Sequence, residues 1–163
     1  MAKKVSVYGL LTALCLVFGY IESLVSLSFI APGVKLGLAN GVALLLLARQ
    51  DFKGAFAVNL TRILLSALLF GTPMQLIFSL SGGISSLIVM ALLCRGKRFG
   101  IVGFSIAGGV THNLFQLLAA IPLVGSGVLY YLPVLLLCGG VCGFLIGFLA
   151  AIIFKKTETN GKK

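Results

Sequence analysis

Long apolar runs, interrupted at intervals by short clusters of charge, dominate this chain. A helix needs about 20 apolar residues to cross the hydrocarbon core of a bilayer. On that basis the pattern predicts six spans: Val5 to Leu27, Leu36 to Ala48, Ala55 to Phe70, Gln75 to Leu93, Phe99 to Ile121 and Pro133 to Phe154. Hydrocarbon offers no partner to a bare peptide group, so each run is expected to be helical. The expected architecture is an all-α membrane protein, with a six-helix transmembrane bundle over residues 1–154 and a basic tail over 155–163. The first run follows Lys3 and Lys4 as a secretory leader would, but it is too long for a cleavable apolar region and is read as a retained span.

The second run is unusual. Its apolar stretch is about 13 residues, roughly 20 Å of helix where about 30 Å must be crossed. The segment Ala31-Pro32-Gly33-Val34-Lys35-Leu36-Gly37-Leu38-Ala39-Asn40 leads into it. Two arrangements make up the length: either the Pro-Gly turn and Lys35 dip into the outer leaflet, or the helix begins below the surface and lines a cavity. Irregular backbone at depth is tolerated only in the second setting.

Composition narrows the class. Hydrophobic residues make up 60% of the 163 and charged residues 10%, against about 25% charged in soluble domains. A water-soluble globule and a disordered chain are both excluded. The net charge of +10 forms no basic face or aromatic-lined groove of the kind that binds nucleic acid. Of the 13 Lys and Arg, 11 (all but Lys35 and Arg62) fall at the termini or in alternate connections: Lys3 and Lys4, Arg49 and Lys53, Arg95 with Lys97 and Arg98, and four lysines from Lys155 onward. The connections Gly71 to Met74 and Pro122 to Leu132 carry none. By the positive-inside rule both termini are expected in the cytoplasm.

Polar side chains within the spans are the functional candidates, because lipid makes them expensive. From the rise per residue, Arg62 stands about 12 Å above Gly54, His112 about 20 Å above Phe99 and Glu22 about 27 Å above Lys4. Gly109, His112, Asn113 and Gln116 form one stripe on the fifth span; Asn59, Arg62 and Ser66 form another on the third, and Ser79, Gly82, Gly83 and Ser86 a third on the fourth. The bland alternatives are an internal ion pair of Glu22 with Lys35 or Arg62, and interhelical hydrogen bonds for His112, Asn113 and Gln116. The spacing of Gly139, Gly143 and Gly147, like that of Gly9 with Ala13, suits close helix packing. Cys15, Cys94, Cys138 and Cys142 lie in apolar segments, and with one histidine in the chain they imply neither a disulfide framework nor a metal site.

Pro32-Gly33-Val34-Lys35-Leu36-Gly37-Leu38-Ala39-Asn40, together with Tyr20-Ile21-Glu22-Ser23, Gly82-Gly83-x-Ser85 and Gly108-Gly109-x-x-His112-Asn113-x-x-Gln116, resembles the family called Gx transporters, also labelled heptaprenyl diphosphate synthase component I. That architecture is similar to the substrate-binding (S) components of energy-coupling factor transporters. The resemblance implies capture of a small polar or anionic molecule from outside a bacterial plasma membrane, with a coupling membrane subunit and two ATPases as partners. A prenyl diphosphate synthase would need clustered aspartates to hold Mg²⁺, and Asp51 is the chain's one aspartate. No phosphate-binding loop motif occurs either. The expected function is therefore non-enzymatic, with no cofactor and no nucleic acid. Expected to meet the ligand are Glu22, Lys35, Asn40, Asn59, Arg62, His112, Asn113 and Gln116, and Gly9 and Ala13 are expected to meet the coupling subunit. The alternative is an accessory membrane protein of isoprenoid or quinone metabolism or of transmembrane electron transfer.

Overall fold

A short helix sits at the centre of the molecule. In the computed structural model, which describes residues 2–24, 37–96 and 99–160, the helices are α1 (Ala2–Leu24), α2 (Leu38–Ala48), α3 (Phe52–Phe70), α4 (Pro73–Arg95), α5 (Ile101–Val124) and α6 (Leu132–Asn160). A 3-10 segment, Ser126–Tyr131, joins α5 to α6. No strand occurs among the described residues. Lys35 and the Pro-Gly turn before it lie outside them.

The 11 residues of α2 pack against all five other helices. Ala39, Val42, Ala43, Leu44, Leu46 and Leu47 are all buried, as expected of a helix that is apolar on every side. Around it, α1, α3, α4, α5 and α6 follow one another in an arc. Neighbours along the arc touch, whereas α1 and α6 make no close backbone approach among the described residues. The Cys15 thiol of α1 and the Cys94 thiol of α4 donate to the Ala39 and Leu47 carbonyls of α2, at 3.5 and 3.3 Å.

The five outer helices contain stretches long and apolar enough to cross a membrane. Only 11% of the α1 stretch is buried, and large apolar side chains such as Leu10, Leu68 and Leu137 project from the bundle. In water such a surface would drive association; in lipid it is the ordinary exterior. At 11 residues, α2 is about 16 Å long and too short to span alone.

Local signals set the helix ends. α2 stops in a Schellman turn, in which the Gln50 and Asp51 amides donate to the Leu47 and Leu46 carbonyls and Gln50 takes the left-handed conformation (φ 62°) usually filled by glycine. α3 starts at an Asp51 cap: one carboxylate oxygen accepts from the Gly54 amide at 3.0 Å and the other from the Tyr8 hydroxyl at 2.6 Å. Asp51 thus ties α1 to the start of α3. Thr72, Pro73 and Gln75 start α4 with a reciprocal capping box. α5 runs through Pro122 to Val124, beyond the predicted end at Ile121, and α6 continues through Lys155 and Lys156.

α5 and α6 meet along a seam of small residues. A β-carbon at Gly139 would lie 2.6 Å from the Gly109 carbonyl oxygen, and one at Gly143 2.7 Å from the Ser105 carbonyl oxygen. The Ser105 hydroxyl donates to the Gly143 carbonyl at 2.7 Å. Without a hydrophobic drive between helices in lipid, such close backbone approach and interhelical hydrogen bonding hold the pair together.

Candidate functional site

The polar stripes divide between one hydrogen-bonded network and two cavities. In the network, Arg62 of α3 donates from Nε to Asn59 Oδ1 at 3.1 Å and from Nη2 to Asn59 Oδ1 at 2.9 Å and Asn40 Oδ1 at 2.6 Å. The Asn59 amide in turn donates to the Gly83 carbonyl at 3.1 Å. Arg62 also lies within electrostatic range of Glu22. One guanidinium therefore joins α2, α3 and α4 and brings together Asn40, Asn59, Arg62 and, through charge, Glu22.

The first cavity, about 40 Å³, lies where α2, α4, α5 and α6 converge, and Asn40, Ser86, Ser105, His112 and Asn113 supply its polar lining, with Met90 and Cys142 adding sulfur. A volume of 10 to 15 Å³ on this measure admits about one water, so the space suits a small polar group. Gly37 also lines it, at the start of α2, where the N-cap, being glycine, offers the helix no capping side chain of its own. The Ser86 hydroxyl is 2% exposed and has no hydrogen-bond partner among the described residues. His112 reaches the space because α4 has no side chain opposite: a β-carbon at Gly82 would lie 3.1 Å from its Nδ1.

The second cavity, about 370 Å³, is bounded by α4, α5, the 3-10 segment and the start of α6. Phe78, Leu117, Ala120, Val124, Val128 and Leu135 make its apolar wall, and Asn113, Gln116 and Tyr131 contribute its polar groups. Asn113 lines both spaces and is fixed by a 2.7 Å hydrogen bond from its amide to the Leu135 carbonyl.

A family model described as heptaprenyl diphosphate synthase component I matches residues 11–153. The chain belongs to that family. The match spans α1 from its first buried turns through most of α6, so both cavities and the Arg62 network lie within the family domain. No curated protein and no solved structure matches the chain significantly. With its several long apolar helices, this family member is a multi-pass membrane protein.

Of the eight expected ligand residues, Asn40, His112 and Asn113 border the first cavity, and Asn113 and Gln116 the second. Arg62 and Asn59 border neither; their polar atoms meet other helices. Lys35 lies outside the described residues. Gly9 has nothing within 4 Å of a built β-carbon and Ala13 is exposed, so neither packs inside the bundle. Ser86 completes the α4 stripe but was not among the expected ligand residues, and its place four residues after Gly82 was the available signal. Ser105, Cys142 and the wall of the second cavity carried none. Among the described residues no group of three or more His, Cys, Asp or Glu is placed to hold a metal ion.

Asp51 lies outside the spans, and the Tyr8 hydroxyl holds its carboxyl below the usual carboxylate range, opposed by partial burial and aided by the Gly54 amide and Lys4. This cluster lies among the cation-bearing helix ends, where Arg95 also stacks 4.7 Å over the Phe52 ring, away from the cavities.

Proposed function

We propose that this chain is a non-enzymatic substrate-binding protein of a bacterial plasma membrane, similar in role to the S components of energy-coupling factor transporters. It captures a small molecule from the cation-poor side and receives the ligand's hydrogen-bonding group in the polar cavity. The observation that carries this reading is the Ser86 hydroxyl, buried and without a hydrogen-bond partner among the described residues, in a cavity that Gly37 at the start of α2 also lines. An unsatisfied buried hydroxyl costs about 1 to 3 kcal/mol, and the start of a helix favours negative charge or an acceptor oxygen. A carbonyl or carboxylate oxygen of a ligand would satisfy both. His112, Asn113 and Asn40 complete the polar lining, while Arg62 holds Asn40 in place.

Both termini then lie in the cytoplasm, and the exposed face of α1 around Gly9 and Ala13 is where a coupling membrane subunit, with its two ATPases, would dock. The family label supports a second reading, an accessory role in isoprenoid metabolism. Catalysis of prenyl transfer is disfavoured by the single aspartate, since Mg²⁺-held diphosphate requires several hard oxygen ligands.

Mass spectrometry of small molecules retained by protein purified in nanodiscs tests the proposal. A ligand retained by the wild type and lost from Ser86→Val and Asn113→Leu, both still folded, is the expected result. The proposal fails if the wild type retains nothing after incubation with a whole-cell metabolite extract, or if both variants retain the ligand equally.

A further inference from the structure

The second cavity gives the ligand a chemical class. We infer that it holds the apolar body of a free amphiphile whose hydrogen-bonding group reaches past Asn113 into the polar cavity; this rests on the capture reading above. Its volume of about 370 Å³ falls within the roughly 300 to 1,000 Å³ of small-ligand pockets. Its wall is mainly Phe78, Leu117, Val124, Val128 and Leu135, so a hydrophilic solute such as a sugar or free amino acid would lose water there without replacement partners. A wholly apolar occupant makes no use of the polar side chains that Asn113, Gln116 and Tyr131 bring to the wall. Asn113 borders the polar cavity as well, so one residue senses both the apolar body and the polar group. Val128 and Tyr131 bring the 3-10 segment over the space, and entry is expected to run past that segment.

The same wall would accept an acyl chain of the bilayer, and the experiment separates the two sources. Protein in nanodiscs is photolabelled in parallel with a medium-chain fatty alcohol bearing a diazirine and with a phospholipid bearing the same group on its acyl chain, and labelled peptides are mapped. The alcohol is expected to label residues 113–135 at cavity positions, and labelling is expected to fall about tenfold in Ala120→Phe and in Val128→Trp, which fill the space from different elements. Val128 lies on the surface-facing 3-10 segment, so its variant serves if Ala120→Phe does not fold. Alcohol labelling confined to outward-facing Leu118, Leu123 and Leu137, or unchanged in the folded filled variant, overturns the inference. Cavity labelling by the phospholipid alone also overturns it. If a hydrophilic molecule is retained through Ser86 while the alcohol fails to label the cavity, capture stands and the amphiphile class falls; if nothing is retained, the capture reading itself fails.

Discussion

Nη2 of Arg62 donates to Oδ1 of Asn40 at 2.6 Å, joining the third helix to the central one through a charge. Hydrogen bonds to charged groups are stronger than neutral ones, and a partly buried cation such as Arg62 that loses an acceptor keeps part of its desolvation cost. Asn40→Leu is therefore expected to destabilise the protein by about 2 to 4 kcal/mol in mixed-micelle unfolding. Arg62→Met combined with it should cost less than the two singles together, with a coupling of about 1 kcal/mol or more. Strict additivity would show that the contact contributes nothing.

The α5–α6 seam predicts a contrast between adjacent glycines. At Gly139 a β-carbon would lie 2.6 Å from a backbone oxygen, whereas at Gly140 the nearest atom is the Val110 Cγ2 at 3.9 Å. Gly139→Ala is expected to cost about 1 to 3 kcal/mol by forcing the backbones apart. Gly140→Ala should remain within about 0.5 kcal/mol of the wild type. Equal thermal midpoints for the two would contradict the seam.

A pH dependence follows from Asp51. Its carboxyl is held below the ordinary range when folded, chiefly by the Tyr8 hydroxyl, so the cap's contribution is fully present above the unfolded value of about 3.9 and is lost as pH falls through the folded value. The wild-type thermal midpoint should decline below about pH 4, and more steeply than that of Tyr8→Phe. Because Glu22 and Glu158 are the remaining acidic side chains, the difference between the two curves isolates this cap. Parallel curves would remove Tyr8 from the account.

Orientation is open to a direct test. The cation-bearing ends are expected in the cytoplasm, so a fluorescent protein fused after Lys163 should fold and emit, and alkaline phosphatase fused at the same point should be inactive. The opposite pair of results would place the cavities toward the cytoplasm.

The apolar pattern made the five long helices legible, and the shortness of the second run pointed to its special position. What the second helix lies against was not legible: its contacts with all five neighbours arise from segments up to about a hundred residues away. The polar stripes were readable from helical periodicity, but their destinations were not. Arg62 was expected to meet the ligand; that its guanidinium donates to Asn40 could not be read, because hydrogen-bond choice depends on which helices adjoin. Tyr8 and Asp51 are 43 positions apart and share no motif. The α4 start at Thr72-Pro73-x-Gln75 was legible in principle, since its residue spacing is the chemistry of the cap. The larger cavity had no local sign, being an absence shared by four elements, each unremarkable alone.

The enclosed position of α2 bears on biogenesis. A segment of 11 residues cannot settle as an independent span during insertion, and its apolar circumference has no stable resting place until neighbouring helices surround it. Assembly must therefore be late and concerted at this point: the long helices enter the bilayer first, and the short one is drawn in as they close. A quality-control protease that samples nascent chains would find its cleavable stretch there, in the interval before closure.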